Sequence, residues 1–539
     1  MTPNEAPATT NYYALNKPAG QQRKATLASA LERLVPLMAD EKRSVALAFV
    51  TMLTSSLAGL LGPVIIGHVV DTYVQHGDFA GVLRWAAILL AVYLAGLVAT
   101  YVQTQTMGRV GRQVLFKLRN AIFTKLQELP LDFFNQNKSG DLISRINNDT
   151  DKLNVFFAQS LMQFAANLFM MAGAAIFVLS LNLRLGLAAL TPALGVLVAT
   201  QLLGAWVKRK NVKSLQSLGG MSAEIQESLS NFRVIVAFNR LDYFRKKFDA
   251  ANEKTYAASV EAGLANNVFM PIYGLSFNLA QLIVLAYGMY LIGAGQLTVG
   301  ALIGFLLYVN SFYIPLRQLA AVWTAFQMAL AALDRISAVQ GLESNLPVVA
   351  DPARSGADAV LEFQHVAFSY PGGQEVLSDS SFRLEPGKTY AFVGPTGGGK
   401  TTTASLMARL YDPTRGRVSL GGADIRSYSP EERTRKIGFI LQEPFLFTAT
   451  IRDNILYGND QYRRYTDPQI VELLTERNLG SLLARFEHGL ETKVTAGGDG
   501  ISLGQKQIIA FMRAVLRDPE LLILDEATAN IDTVTEQLL

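Results

Sequence analysis

Six apolar runs, at 45–70, 82–106, 155–180, 183–206, 270–293 and 298–324, decide what this chain can become. Each is long enough to cross a hydrocarbon core of ~30 Å as a helix rising ~1.5 Å per residue. The first contains AFVTMLTSSLAGLLGPVIIG and the second AAILLAVYLAGLVATYV, and Asp and Glu are nearly absent from all six. Buried helices of a large soluble protein would not gather in this way in one half of a chain. Only 17% of the 539 residues are charged, against ~25% in soluble domains, too few to coat a soluble surface of this size.

The connections between the runs alternate in length. Those at 71–81, 181–182 and 294–297 are short and contain no Lys or Arg. Those at 107–154 and 207–269 are long and basic, with Arg109, Arg112, Arg119 and Arg145 in one and Lys208, Arg209, Lys210 and Lys213 in the other. Positive charge stays on the cytoplasmic side. Both long connections and both termini are therefore expected in the cytoplasm of a cell carrying the protein in its plasma or inner membrane. QVLFKLRNAIFTKLQELP and SAEIQESLSNFRVIVAFNRLDYFRKKFDAANEK have helical spacing. The membrane helices are thus expected to run on for ~20–30 residues before turning back.

Residues 1–25 read as a disordered polar tail, 26–340 as the membrane domain and 341–359 as a linker carrying Pro, Gly and Asp without periodicity. From 360 to 539 apolar strands such as TYAFVG, KIGFIL and ELLILD alternate with helices, as in an α/β nucleotide-binding domain. A net charge of +4 is too mild for a nucleic-acid binder. The absence of Cys excludes disulfides, thiol chemistry and Cys-based zinc sites.

Gly394-Pro395-Thr396-Gly397-Gly398-Gly399-Lys400-Thr401 fits GxxxxGK[ST], after an expected strand Thr389–Val393 and before the helical run from Thr402. Its glycines let backbone N–H groups converge on phosphate oxygens, and a helix N-terminus adds its dipole. Lys400 suits the β and γ phosphates, and the Thr401 hydroxyl suits Mg²⁺. The run Leu521–Leu524, expected to be a strand buried on both faces, ends in Asp525 and Glu526. Asp525 is a candidate for holding Mg²⁺ through water, and Glu526 for polarising an attacking water.

The order of the phosphate loop, Gln442 in LQEPFLF, Ser502-Leu503-Gly504-Gln505 and LLILDEATANID resembles the ATP-binding cassette (ABC) ATPases. Six spans fused ahead of such a cassette resemble the ABC exporters of the type IV fold, over essentially 25–539. That resemblance implies a membrane α-helical bundle followed by an α/β P-loop domain with a helical subdomain. It implies ATP bound by 394–402 with Tyr370 on adenine, Gln442 with Thr401 and Asp525 on Mg²⁺, and Glu526 as catalytic base. It also implies that Ser502, Gly504 and Gln505 bind the γ-phosphate of ATP held by a second half-transporter, with Asp532 in the loop that crosses between them. GDLISRINNDTD at 140–151 resembles the first segment that docks on the cassette, and SNFRVIVAF at 230–238 a stretch near the second.

Three departures stand out. Leu503 replaces a signature glycine, and Ala496 occupies a position where many exporters have Glu. The family's switch His lies further beyond Glu526 than Leu539, and His365 and His488 precede Glu526. The chain as written therefore lacks that His, and the natural protein is expected to continue with a strand, the switch and closing helices. Polar residues inside the spans, among them Gln159, Gln163, Asn167, Asn278, Gln281, Asn310, Arg317 and Gln318, suit either interhelical bonds or a wet path. No acidic relay marks ion coupling. The expected function is ATP-driven export of a drug, lipid or peptide by a dimer in the bilayer. A siderophore importer or a nucleotide-gated channel on the same fold is the alternative.

Overall fold

The computed structural model describes residues 13–15, 35–344, 346–350, 359–442, 444–495 and 500–526. Among these are six helices long and apolar enough to cross a membrane: Pro36–Val74, Phe79–Glu128, Ser139–Leu181, Leu183–Ser230, Leu241–Gly293 and Val299–Gln340. Phe79–Glu128 has 50 residues and is about 75 Å long at ~1.5 Å per residue, far more than a bilayer needs. The expected continuation of the membrane helices is present. Hydrocarbon offers backbone groups no water, so an unbroken helix is the way to carry them through.

The chain forms two compact units, one of Gln21–Phe123 and Ser144–Ser337, the other of Met1–Gly20, Thr124–Ile143 and Ala338–Leu539. In the first, small residues such as Ala174, Ala189 and Ala280 share the core with Leu60, Val284, Phe305 and Tyr308. Small side chains let membrane helices approach and gain dispersion contacts. The first and last membrane helices meet backbone to backbone, for a Cβ on Gly300 would lie 2.0 Å from the Gly67 carbonyl oxygen. Two buried tyrosines tie helices together through carbonyls, Tyr308 Oη donating to Leu60 O at 2.6 Å and Tyr313 Oη to Ala189 O at 3.0 Å. Asp71 accepts from the Gly300 N–H at 2.7 Å and from Thr298, a carboxylate at the positive end of the last helix.

Lower in the same unit, Asp149 is fully buried and meets Lys152 at 2.9 Å and Arg335 at 3.0 Å. Arg145 donates to the Arg335 carbonyl at 2.6 Å, and Arg119 reaches the Ile146 carbonyl at 3.3 Å. These charges bind three helix extensions where hydrophobic packing alone would not fix register.

The second unit is an α/β domain with a helical lobe. Four antiparallel strands, β1 (Leu361–Ser369), β2 (Glu375–Leu384), β3 (Arg415–Leu420) and β4 (Ala423–Asp424), lie in the order β2-β1-β3-β4. Apart from them β5 (Ile437–Ile440) pairs in parallel with β6 (Leu521–Leu524). Leu361, Phe363, Leu406, Val418, Ile437 and Ile523 share one core, and Ile451, Ile470, Leu474, Ile509 and Met512 a second in the helical lobe.

Three expectations are corrected. Thr389–Val393 is not a strand, and Val393 is 90% exposed. Its composition suits a strand, but a strand exists only when a neighbour takes its N–H and C=O groups, and among the described residues none does. For the same reason β6 is not buried on both faces, since Leu522 and Leu524 are 36% and 49% exposed. Residues 140–143 fall in the unit that holds the cassette and 144–151 in the membrane unit. The N-terminal region is not wholly a loose tail, because Tyr13 is buried against Phe133 and donates to the Glu343 carbonyl at 2.9 Å. Asp532 and Ala496 lie outside the described residues.

Gly300→Ala is expected to cost about 1–3 kcal/mol through overpacking, read as a lower Tm of the purified protein. Gly204→Ala, where a Cβ meets nothing within 4 Å, should be neutral or slightly stabilising because Ala favours helix over Gly.

Candidate active site

The phosphate loop leads into the helix Lys400–Met407 through Gly399 at φ 80°, after Gly397 at φ 84°. Both angles are left-handed and favour glycine, which has no Cβ to clash there. A Cβ on Gly399 would also lie 2.8 Å from Leu377 Cδ2. Lys400 Nζ donates to the Gly394 and Pro395 carbonyls at 2.9 and 3.0 Å, folded back over its own loop.

Strand register supplies the opposing side. Ile440 pairs with Leu524 in parallel, and the Asp525 N–H extends the ladder to the Ile440 carbonyl at 3.0 Å. Gln442 and Glu526 each stand two residues past that last pair. Gln442 Nε2 donates to Glu526 Oε2 at 2.6 Å. Thr401 Oγ1 donates to Asp525 Oδ1 at 3.1 Å, which joins the phosphate-loop helix to the end of β6. Glu526 has φ 50°, an uncommon backbone state for a non-glycine residue and a form of strain that collects at working sites. A cavity of about 540 Å³ between Thr389–Phe392 and β6 has Lys400, Asp525 and Glu526 in its wall.

Tyr370 is fixed from two directions. Its hydroxyl lies 3.1 Å from Thr402 Oγ1, and its ring meets the edge of Phe368 at 4.9 Å between centroids. The signature residues form a group of their own. Ser502 caps the helix Leu503–Val515 in a capping box, its Oγ accepting from the Gln505 N–H at 3.2 Å, with Gly504 in the first turn. Gln505 Nε2 donates to the Arg485 carbonyl at 3.2 Å.

A hydroxyl, a carboxylate and the amide of Gln442 form a hard oxygen donor set of few members. Among the described residues no cluster of three or more His, Cys, Asp or Glu would hold a metal unaided. That pattern fits Mg²⁺, which takes one or two protein carboxylates and completes its shell from phosphates and water.

Two residues unmarked by any sequence motif also belong here. Gln507, 1% exposed, reaches the Gln442 carbonyl at 3.5 Å from the signature helix. Tyr411 meets Tyr370 edge to face at 5.4 Å. Their signal was indirect: Gln507 sits two residues after the signature Gln505, and Tyr411 lies just past the helix that follows the phosphate loop.

Residues 45–316 match the ABC transporter transmembrane region family, and residues 377–529 match the ABC transporter family. Relatives include the uncharacterized ABC transporter ATP-binding protein YfiC of Bacillus subtilis, 32% identical over 94% of this chain and 83% of its own. The fatty acid ABC transporter ATP-binding/permease protein of Mycobacterium bovis is 33% identical over 86% of this chain and 73% of its own. The multidrug resistance ABC transporter ATP-binding and permease protein of Lactococcus lactis is 29% identical over 89% and 82%.

Gly399→Ala tests the loop geometry. A left-handed φ costs an L-residue ~1–2 kcal/mol before the contact with Leu377 is counted. Nucleotide affinity measured by equilibrium binding should fall at least tenfold, with the membrane unit's stability unchanged.

Proposed function

The chain belongs to the ABC transporter family, membrane region and ATP-binding domain in one polypeptide, and on that premise we propose that it works as half of a dimeric, ATP-driven exporter of hydrophobic or amphipathic molecules. The observation that carries this reading is the register-locked pair Gln442–Glu526 beside Thr401–Asp525. It brings a base, a hydroxyl and a carboxylate to the mouth of a phosphate loop.

In this reading ATP lies with its phosphates along Gly394–Thr401, Lys400 swings from its loop carbonyls to the β and γ phosphates, and Tyr370 takes the adenine. Glu526 accepts a proton from the water that attacks the γ-phosphate, and Gln442 holds that carboxylate in place. Mg²⁺ would be held by Thr401, Gln442 and Asp525 and would supply neutralisation of phosphate charge.

Ser502, Gly504 and Gln505 of a second half-transporter, a copy or a paralogue, close over the γ-phosphate. Binding then draws the two cassettes together, and hydrolysis parts them. The connection at the far end of the paired helices Leu183–Ser230 and Leu241–Asn267 supports a dimer. Phe232, Val234, Val236 and Phe238 there are each at least half exposed, an apolar cluster outside the spans that suits a partner surface. The basic long connections support a cytoplasmic cassette and cytoplasmic termini. Names of relatives, one a fatty acid transporter and one a multidrug transporter, favour amphipathic cargo over metal complexes.

ATPase activity of the dimer in lipid nanodiscs tests the reading. Long-chain fatty acids or lipophilic drugs should stimulate it. Stimulation by siderophore complexes alone, or a steady ion current, would point to the alternatives instead. Lys400→Ala should weaken ATP binding and abolish turnover. Glu526→Gln should keep ATP bound and the dimer closed while turnover falls by ~10²–10⁴-fold, the usual worth of a general base. A Glu526→Gln protein that hydrolyses at the parental rate would remove Glu526 from the mechanism.

A further inference from the structure

A short helix outside the membrane spans, Leu131–Gln136, belongs to the same compact unit as the cassette. It carries Asn135, whose Nδ2 donates to the Tyr411 hydroxyl at 2.6 Å. Tyr411 stands with its ring at 88° to Tyr370 and 5.4 Å from it, and its other neighbour is Phe368 at 5.5 Å. Tyr370 in turn is bonded to Thr402, two residues past Lys400. A continuous path of contacts therefore runs from Asn135 through Tyr411 to Tyr370.

The residue that ends the helix, Asn137, is equally fixed. Asn137 donates to the carbonyls of Tyr13 and Phe133, each at 2.8 Å, and accepts from the Leu15 N–H at 3.1 Å. The C-terminal end of the helix cannot drift without breaking these bonds.

We propose that Asn135 is a positioning residue for the nucleotide base: it holds Tyr411 in the orientation that sets the Tyr370 ring for stacking on adenine. The proposal rests on the reading of Tyr370 as the adenine platform. It adds that a residue between the second and third membrane helices tunes base affinity from outside the cassette fold.

The physical case is one of restraint. Tyr370 has its hydroxyl anchored by Thr402 and one edge contact from Phe368, which leaves the ring free to rock about its long axis. Tyr411 removes that freedom only if it is itself held, because a tyrosine retains rotation about χ1 and χ2. The bond from Asn135 supplies the hold at the hydroxyl, the atom furthest from the backbone. Burial raises the Tyr411 pKa, with Tyr370 and Asp132 adding to the shift and the Asn135 bond opposing it. Platforms that are preorganised bind a flat ligand more tightly than mobile ones, since less ordering remains to be done on binding.

The test compares steady-state ATP hydrolysis by the full dimer in lipid for Asn135→Ala, Asn135→Asp and Tyr411→Phe against the parent. Asn135→Ala and Tyr411→Phe should each raise KM for ATP about fivefold with kcat within twofold, and the double variant should go no further. Asn135→Asp should restore KM, because the Tyr411 hydroxyl then donates to the carboxylate. Inhibition by inorganic tripolyphosphate, which has no base, should be the same in all. Tyr370→Ala separates the two readings. If it raises KM while Asn135→Ala and Tyr411→Phe do not, Asn135 has no positioning role. If Tyr370→Ala itself leaves KM unchanged, the adenine platform falls and the proposal falls with it. A loss of kcat at unchanged KM in Asn135→Ala, or equal weakening of tripolyphosphate, would also overturn it. Because Tyr411→Phe keeps the ring and its packing, the result does not depend on Asn135→Ala folding normally.

Discussion

A peptide group inside hydrocarbon has no water to bond with, and this chain answers that constraint with helices that do not stop at the membrane surface. Once the backbone is committed to unbroken helix, continuing is cheaper than ending, since each end leaves four N–H or C=O groups without partners. Hence Phe79–Glu128 and Leu183–Ser230 extend well past their apolar runs, and their charged outer portions need partners of their own. Arg119 bonding to the Ile146 carbonyl and Thr150 hydroxyl, each at 3.3 Å, and the pairing of Lys210 and Lys213 with Glu261 at 2.9 and 3.2 Å, provide them.

The cassette solves a different problem, that of keeping charged groups near one another without a ligand between them. Lys400 is occupied by loop carbonyls, Thr401 by Asp525, and Glu526 by Gln442. Each of these bonds uses an atom that the proposed reaction needs, so nucleotide binding is an exchange of partners within a formed frame. The parallel ladder of β5 and β6 is what makes the frame reliable, because two residues beyond a fixed pair on each strand can only end up side by side.

Much of this was legible in the sequence. The six spans follow from length and apolarity, and the phosphate loop from glycines whose left-handed angles no other residue shares comfortably. Gln442 and Glu526 were placed in one site by motif order, and register explains why. What stayed hidden depends on partners distant in the chain. Thr389–Val393 has the composition of a strand and lacks a neighbour to make it one. Asn135 carries no motif at all, and its position becomes informative only when the fold sets it against Tyr411. Arg145 and Asp149, which look like surface charges in sequence, are buried in the membrane unit.

Tyr13 bears on how the protein is handled at the bench. Its ring covers Phe133, its carbonyl accepts from Asn137, and its hydroxyl reaches Glu343. Residues near an amino terminus are the usual place for an affinity tag or for trimming, and here Tyr13 and Leu15 act as a clasp between two stretches more than a hundred residues away on either count. Cutting them off would bare an aromatic face and strand an amide, and a preparation shortened in that way would report on a cassette with its clasp undone.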